Sequence, residues 1–232
     1  MKRAKKSHRP KLAKNLNNSS TLPLQNPQLN QPSHSTEQSL ALAFKHYSEG
    51  RLSQGEHICR QILQANPNQP HALHMLGVIA HQVEELDSAL ALIQKALTYK
   101  PDYADAHNNL GNVLIDLNRF DDALVCFHKA LKIIPDSAEV HNNIGIVLNK
   151  LNRLDEAVLS YETAIKINTN YAQAHNNIGQ VLKRQNKLDE AVAAYRTAIA
   201  IEPEYVEAYR NFGIALQEMN KLDESIQMYN QA

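Results

Sequence analysis

Residues 107–120 read HNNLGNVLIDLNRF, and nearly the same words return as HNNIGIVLNKLNRL at 141–154 and HNNIGQVLKRQNKL at 175–188. Adjacent asparagines are poor helix formers, yet each pair stands inside an apolar pattern of helical period. The glycine after each pair decides the fold. Five of the seven glycines are Gly77, Gly111, Gly145, Gly179 and Gly213, each 34 residues beyond the last. Ala89, Ala123, Ala157 and Ala191 stand twelve residues after their glycine, and Ala96, Ala130, Ala164, Ala198 and Ala232 nineteen after. Pro67, Pro101, Pro135 and Pro203 close the units. Self-similarity at one fixed step marks a stack of like units rather than a single folded core.

Each unit reads as two helices. A glycine inside a helix costs ~1 kcal/mol relative to alanine, so five of them demand a compensating contact, and close approach of the two helices supplies it. The small alanines serve the same approach. Between the helices Asn118, Asn152, Asn186 and Asn220 stand where a residue tolerant of the left-handed conformation is needed. Asp87, Asp121, Asp155, Asp189 and Asp223 follow three residues later than those turns and read as N-caps of the second helix. Phe127, Tyr161, Tyr195 and Tyr229 recur at a core position of that helix, as aromatic residues at helical spacing do.

This helix-turn-helix grammar of L-G, A, an aromatic, A and P resembles the tetratricopeptide repeat family. With the glycine as position 8, the units run 36–69, 70–103, 104–137, 138–171, 172–205 and 206–232, the last incomplete. The first departs most, with Ala43 at the glycine position, Gly55 at the first alanine position and Cys59 at the aromatic one. No unit carries the family's early tryptophan, and Thr169 replaces a closing proline. The resemblance implies an all-α, right-handed superhelical α-solenoid over residues 36–232; the composition of residues 1–35 reads as a disordered basic and polar tail before it.

Positions 2, 5, 6, 9, 12 and 13 of each first helix share one stripe by their spacing. The stripe holds Asp105, Asn108, Asn109 and Asn112 in the third unit, Glu139, Asn142 and Asn143 in the fourth, and Asn176, Asn177, Lys183 and Arg184 in the fifth. In solenoids of this type the first helices line the concave side. An asparagine amide offers both an acceptor and donors, which match the carbonyl and N–H of any peptide backbone. Units stepping ~10 Å would meet roughly every third residue of an extended chain rising ~3.3 Å per residue. Specificity would then come from flanking charge, acidic at Asp105 and Asp116 and basic at Lys183 and Arg184. The plain alternative is inheritance: duplication copies residues, and an exposed groove tolerates asparagine at ~0.7 kcal/mol each.

More narrowly, A-x-x-N-[LI]-G followed by D-[DE]-A-[LV] and A-[LI]-x-x-x-P resembles the repeat region of protein O-linked N-acetylglucosamine transferases and related bacterial proteins. That resemblance implies an asparagine ladder of Asn109, Asn143, Asn177 and Asn211 holding a partner's backbone, with Asn108, Asn142 and Asn176 beside it. Met75 and Ala41 interrupt the ladder in the first two units. It also implies a rival use, as the substrate-recruiting arm of a longer glycosyltransferase, sulfotransferase or methyltransferase. The sixth unit stops inside its second helix, which raises the expectation of a longer native chain and of self-association through an uncapped face.

Composition bounds the remaining possibilities. The formal net charge is zero, but all seven Lys and Arg of residues 1–35 stand opposite no acid, so the rest of the chain carries seven more acids than bases. The tail MKRAKKSHRPKLAK reads as a solvating extension, with charge attraction to nucleic acid or an anionic surface as its alternative. Its charged start leads into KNLNNSSTLPLQNPQLNQ rather than an apolar run, unlike an export signal. Cys59 and Cys126 fit no metal or disulfide framework, which favours a reducing, cytoplasmic setting. No glycine-rich phosphate cradle, G-x-S-x-G elbow, H-E-x-x-H pair or C-x-x-C clamp occurs. No catalysis, metal or cofactor is therefore expected, and the expected partner is a protein or extended peptide segment. Of the eleven histidines, His107, His141 and His175 recur a unit apart, too far to share an ion bound at ~2 Å. His71 and His74 read as a solvated pair.

Overall fold

A computed structural model describes residues 35–231. They form six helical hairpins: α1 (Thr36–Ser48) with α2 (Leu52–Ala65), α3 (Pro70–Gln82) with α4 (Leu86–Tyr99), and α5 (Ala104–Asp116) with α6 (Phe120–Ile133). Then come α7 (Ala138–Lys150) with α8 (Leu154–Ile167), α9 (Ala172–Arg184) with α10 (Leu188–Ile201), and α11 (Val206–Glu218) with α12 (Leu222–Tyr229). No strand occurs among the described residues. Every helix packs on its neighbours in sequence. The first helices also touch across repeats, α1 with α3, α3 with α5, α5 with α7, α7 with α9 and α9 with α11, whereas the second helices do not meet one another. First helices that crowd together and second helices that splay apart put the asparagine stripe on the inner side of the array. No described helix is long and apolar enough to cross a membrane.

The turns behave as their sequence requires. Asn118, Asn152, Asn186 and Asn220 all have φ between 57° and 61°. After α5, the Arg119 N–H donates to Leu114 O at 2.8 Å and the Asn118 N–H to Ile115 O at 2.9 Å. Two such bonds satisfy carbonyls that the helix end would leave unpaired. The second repeat makes the same turn with Glu84 at φ 62°, a conformation that side chains other than asparagine adopt at a penalty.

The aspartates are not N-caps. Asp87, Asp121, Asp155, Asp189 and Asp223 lie in the first turn of their helices, and the capping positions are Glu85, Arg119, Arg153, Lys187 and Lys221, none with a side-chain capping bond. Their contribution is negative charge at the positive end of the helix dipole.

Four of the repeat glycines, Gly111, Gly145, Gly179 and Gly213, face ring edges rather than bare backbone. A β-carbon on Gly145 would lie 2.5 Å from Tyr161 Cε1, and one on Gly179 2.5 Å from Tyr195 Cε1. Phe127, Tyr161 and Tyr195 are accordingly buried, 0%, 1% and 0% exposed. Tyr229 differs from the sequence expectation of a core residue: with only α11 against its helix, it is 41% exposed.

Candidate functional site

The amide stripe is wired across the repeats. Asn143 Nδ2 donates to Asn108 Oδ1, Asn177 Nδ2 to Asn142 Oδ1, and Asn211 Nδ2 to Asn176 Oδ1, each at 3.0 Å. Asn109 Nδ2 donates to His74 Nε2 at 2.8 Å. In every case position 6 of one unit donates to position 5 of the unit before, 35 residues earlier. Position 5 is buried, with Asn108 7%, Asn142 3% and Asn176 0% exposed. The two asparagines therefore have different parts: the first is an interface acceptor, and the second is held by it at the groove.

Carboxylate chemistry fixes the direction of this relay. Asn108 Nδ2 donates to Glu139 Oε1 at 2.7 Å. A carboxylate only accepts, so the amine of Asn108 faces it and the carbonyl faces Asn143. Asn143 must then present its own amine to Asn108 and turn its carbonyl elsewhere. At the other end Asn176 Nδ2 donates to the Tyr205 hydroxyl at 3.4 Å. Each such bond contributes ~1 kcal/mol net, and removing one buried partner costs ~1–3 kcal/mol.

His74 occupies the same place in the second unit, so the expected solvated pair is incorrect. It is 7% exposed, with Nδ1 2.9 Å from the Tyr103 hydroxyl. Accepting from Asn109 at Nε2 leaves the ring proton on Nδ1, which donates to Tyr103. Burial first, then the charge of His71, push its pKa down to about 4, so the ring is neutral near pH 7. His71 stays near the surface with Nε2 3.2 Å from Lys100 Nζ. His107 and His141 donate from Nε2 to the carbonyls of Pro101 (2.8 Å) and Pro135 (3.3 Å), tying one hairpin to the next. Among the described residues no three His, Cys, Asp or Glu gather as a metal-binding group.

A cavity of about 700 Å³ opens on the inner side of α7, α9 and α11. It collects five of the sequence-predicted residues, Asn112, Glu139, Asn142, Asn143 and Asn177. Asn108, Asn109, Asn176 and Asn211 continue the relay outside its lining. Asp105 is exposed and also outside it. Lys183 and Arg184 are engaged with adjoining repeats instead of standing as separate flanking charges. Lys183 Nζ lies 3.1 Å from Glu218 Oε1, and Arg184 donates to Asn149 O and Asn152 Oδ1, both at 2.8 Å. Asp116 likewise meets His81 at 2.6 Å.

Three lining residues escaped the sequence reading of the groove: Tyr161, Tyr171 and Tyr205. Tyr171 and Tyr205 share a position with Tyr103, immediately before a first helix, and that recurrence, interrupted by Ser137, was the available signal. Burial leads in raising the pKa of all three cavity tyrosines, so each hydroxyl keeps its proton.

Comparison with known proteins agrees with this architecture. Models described as tetratricopeptide repeat match residues 70–103 and 104–137, and one described as TPR repeat matches 147–186 and 179–220. No curated protein matches the chain. Among solved structures, MamA is similar at 25% identity and a TM-score of 0.58, covering 67% of this chain and 91% of its own. A thermophilic TPR protein of Thermus thermophilus, TTC0263, is similar at 22% identity and a TM-score of 0.68, covering 79% of this chain and 100% of its own. YrrB, described as a TPR protein with an unusual peptide-binding site, is similar at 24% identity and a TM-score of 0.56, covering 75% and 89%. The matched repeats span more than half of the sequence, and two of them, 70–103 and 104–137, coincide with the units that the glycines set: the chain belongs to the tetratricopeptide repeat family.

Proposed function

We propose that this protein-interaction scaffold, residues 36–232, binds an extended segment of a partner protein along the inner face of its first helices. The ladder is Asn109, Asn143, Asn177 and Asn211, with Asn108, Asn142 and Asn176 as positioning residues behind it. The observation that carries the reading is the division of labour within each amide. One N–H of Asn143 or Asn177 is committed to the preceding repeat, while the carbonyl and the second N–H are left for a guest at the cavity. An amide locked in this way loses little rotamer freedom on binding, which lowers the cost of capture. Asn112 and Asp105 lie on the same helix face, and the groove needs no reaction, metal or cofactor to hold a peptide backbone.

The test is capture of short unstructured peptides from a displayed library, followed by replacement of Asn143 and Asn177 with alanine. Capture is expected to fall at least ~10-fold, the loss of one to two amide contacts, with the helical circular dichroism retained. Unchanged capture by the folded variant would remove the ladder reading.

A further inference from the structure

We infer that the cavity on α7, α9 and α11 is a subsite for a cationic side chain, an arginine or lysine of the bound segment. This inference rests on the groove reading above and gives it a specificity. Three side chains that are at least nine-tenths buried reach the cavity wall: Tyr161, Asn142 and Asn143, at 1%, 3% and 9% exposure. Each has a polar atom that its neighbours leave unused. Asn142 spends its carbonyl on Asn177, Asn143 spends an amine hydrogen on Asn108, and the Tyr161 hydroxyl, unlike the sealed hydroxyl of Tyr195, opens on the cavity. Among the described residues only His107 Nδ1 and the Tyr195 hydroxyl are buried without a partner, so the unused atoms at this wall are open to a guest.

The wall's polarity selects the guest. Glu139 and Glu207 both line the cavity. Each accepts one neutral amide, from Asn108 at 2.7 Å and Gln180 at 3.2 Å, which leaves most of the capacity of both carboxylates open. The direction of the relay adds the carbonyl of Asn143, turned away from Asn108. Lys150 is the one cation among the lining residues, and its ammonium lies 5.9 Å from the centroid of the Phe120 ring. Asn142, its carbonyl spent on Asn177, offers only N–H donors; the two carboxylates and the Asn143 carbonyl are what match a guanidinium or ammonium, whose polar atoms are all donors. An anionic side chain would meet like charge there.

Fluorescence anisotropy with three labelled peptides of equal length tests this. One is built from Ser, Thr and Gln, the second carries two arginines in that background, and the third two glutamates. The arginine peptide is expected to bind ~10-fold tighter than the neutral one, the scale of one charge-assisted contact, and the glutamate peptide no tighter. The variant Glu207→Gln keeps an acceptor for Gln180 and lies outside the asparagine relay that Glu139 anchors, so its circular dichroism should be unaltered. It is expected to lose the arginine gain while retaining neutral-peptide binding. Equal affinity for the neutral and arginine peptides, or an arginine preference that survives in the variant, overturns the subsite while leaving the ladder intact. Binding of none of the three overturns the ladder and the subsite together.

Discussion

The first and fourth repeats solve one packing problem in opposite ways. In the fourth, Gly145 on α7 makes room for the Tyr161 ring and Ala157 on α8 completes the contact. In the first, the small residues are exchanged: Ala43 stands on α1, Gly55 on α2, and Cys59 takes the place of the ring. A β-carbon on Gly55 would lie 3.1 Å from Ala43 O, so here the glycine does admit backbone. The second repeat is intermediate, Gly77 facing Ile93. The glycine signature therefore tracks the size of the residue opposite it: Ile93 and the rings require it, and the smaller Cys59 does not.

Gly145→Ala should have the largest effect, a loss of about 3 kcal/mol from overpacking. Urea denaturation would read it, with amide exchange to localise the damage to α7 and α8. In a Tyr161→Cys background, which imitates the first repeat, the same substitution should cost close to nothing. A full cost there would break the comparison, as would an Ala43→Gly loss larger than the ~1 kcal/mol of helix propensity.

The junction between the second and third repeats should be the acid-sensitive one. The His74 pKa is lowered from 6.5 to about 4, so the unfolded chain binds the proton more readily. The stabilisation is fully present above pH 6.5 and is lost as pH falls toward 4, about 2 kcal/mol of it by pH 5. Tyr103 and Asn109 face the ring, and His71, itself 3.2 Å from Lys100, adds its charge nearby. A His74→Asn variant, made like the later repeats, should flatten the pH profile of the urea midpoint between pH 7 and 5.

Asn176→Ala strands both Asn211 and Tyr205, and about 1–2 kcal/mol should be lost. Asn176→His, copying the natural His74, should recover part of the thermal stability. The smallest effect has the opposite sign: Glu84→Asn places at φ 62° the residue that four other turns use, and a gain of about 0.5–1 kcal/mol in the melting analysis is expected.

What the sequence revealed was whatever each unit settles within itself. The 34-residue step, the left-handed asparagines and the buried rings follow from contacts inside one hairpin, so they recur as visible letters. The capping role of the aspartates was misjudged because first-turn charge and N-capping differ by two residues and draw on the same side chain. The relay was hidden for another reason. Its partners are 35 residues apart, one more than the period, so the pairing depends on how one hairpin is rotated against the next. Lys183 and Arg184 looked like groove charges for the same reason, since their partners Glu218 and Asn149 lie in adjoining repeats.

The offset of one residue between period and pairing makes each repeat a connector with a socket at position 5 and a plug at position 6. Asn142 and Asn143 carry both halves, as do Asn108 with Asn109 and Asn176 with Asn177. Leu40 and Met75 carry neither at the first junction, where apolar packing joins the repeats. The third, fourth and fifth repeats are thus interchangeable parts: an extra copy inserted among them would mate at both ends, whereas a copy of the first would leave an asparagine without its socket.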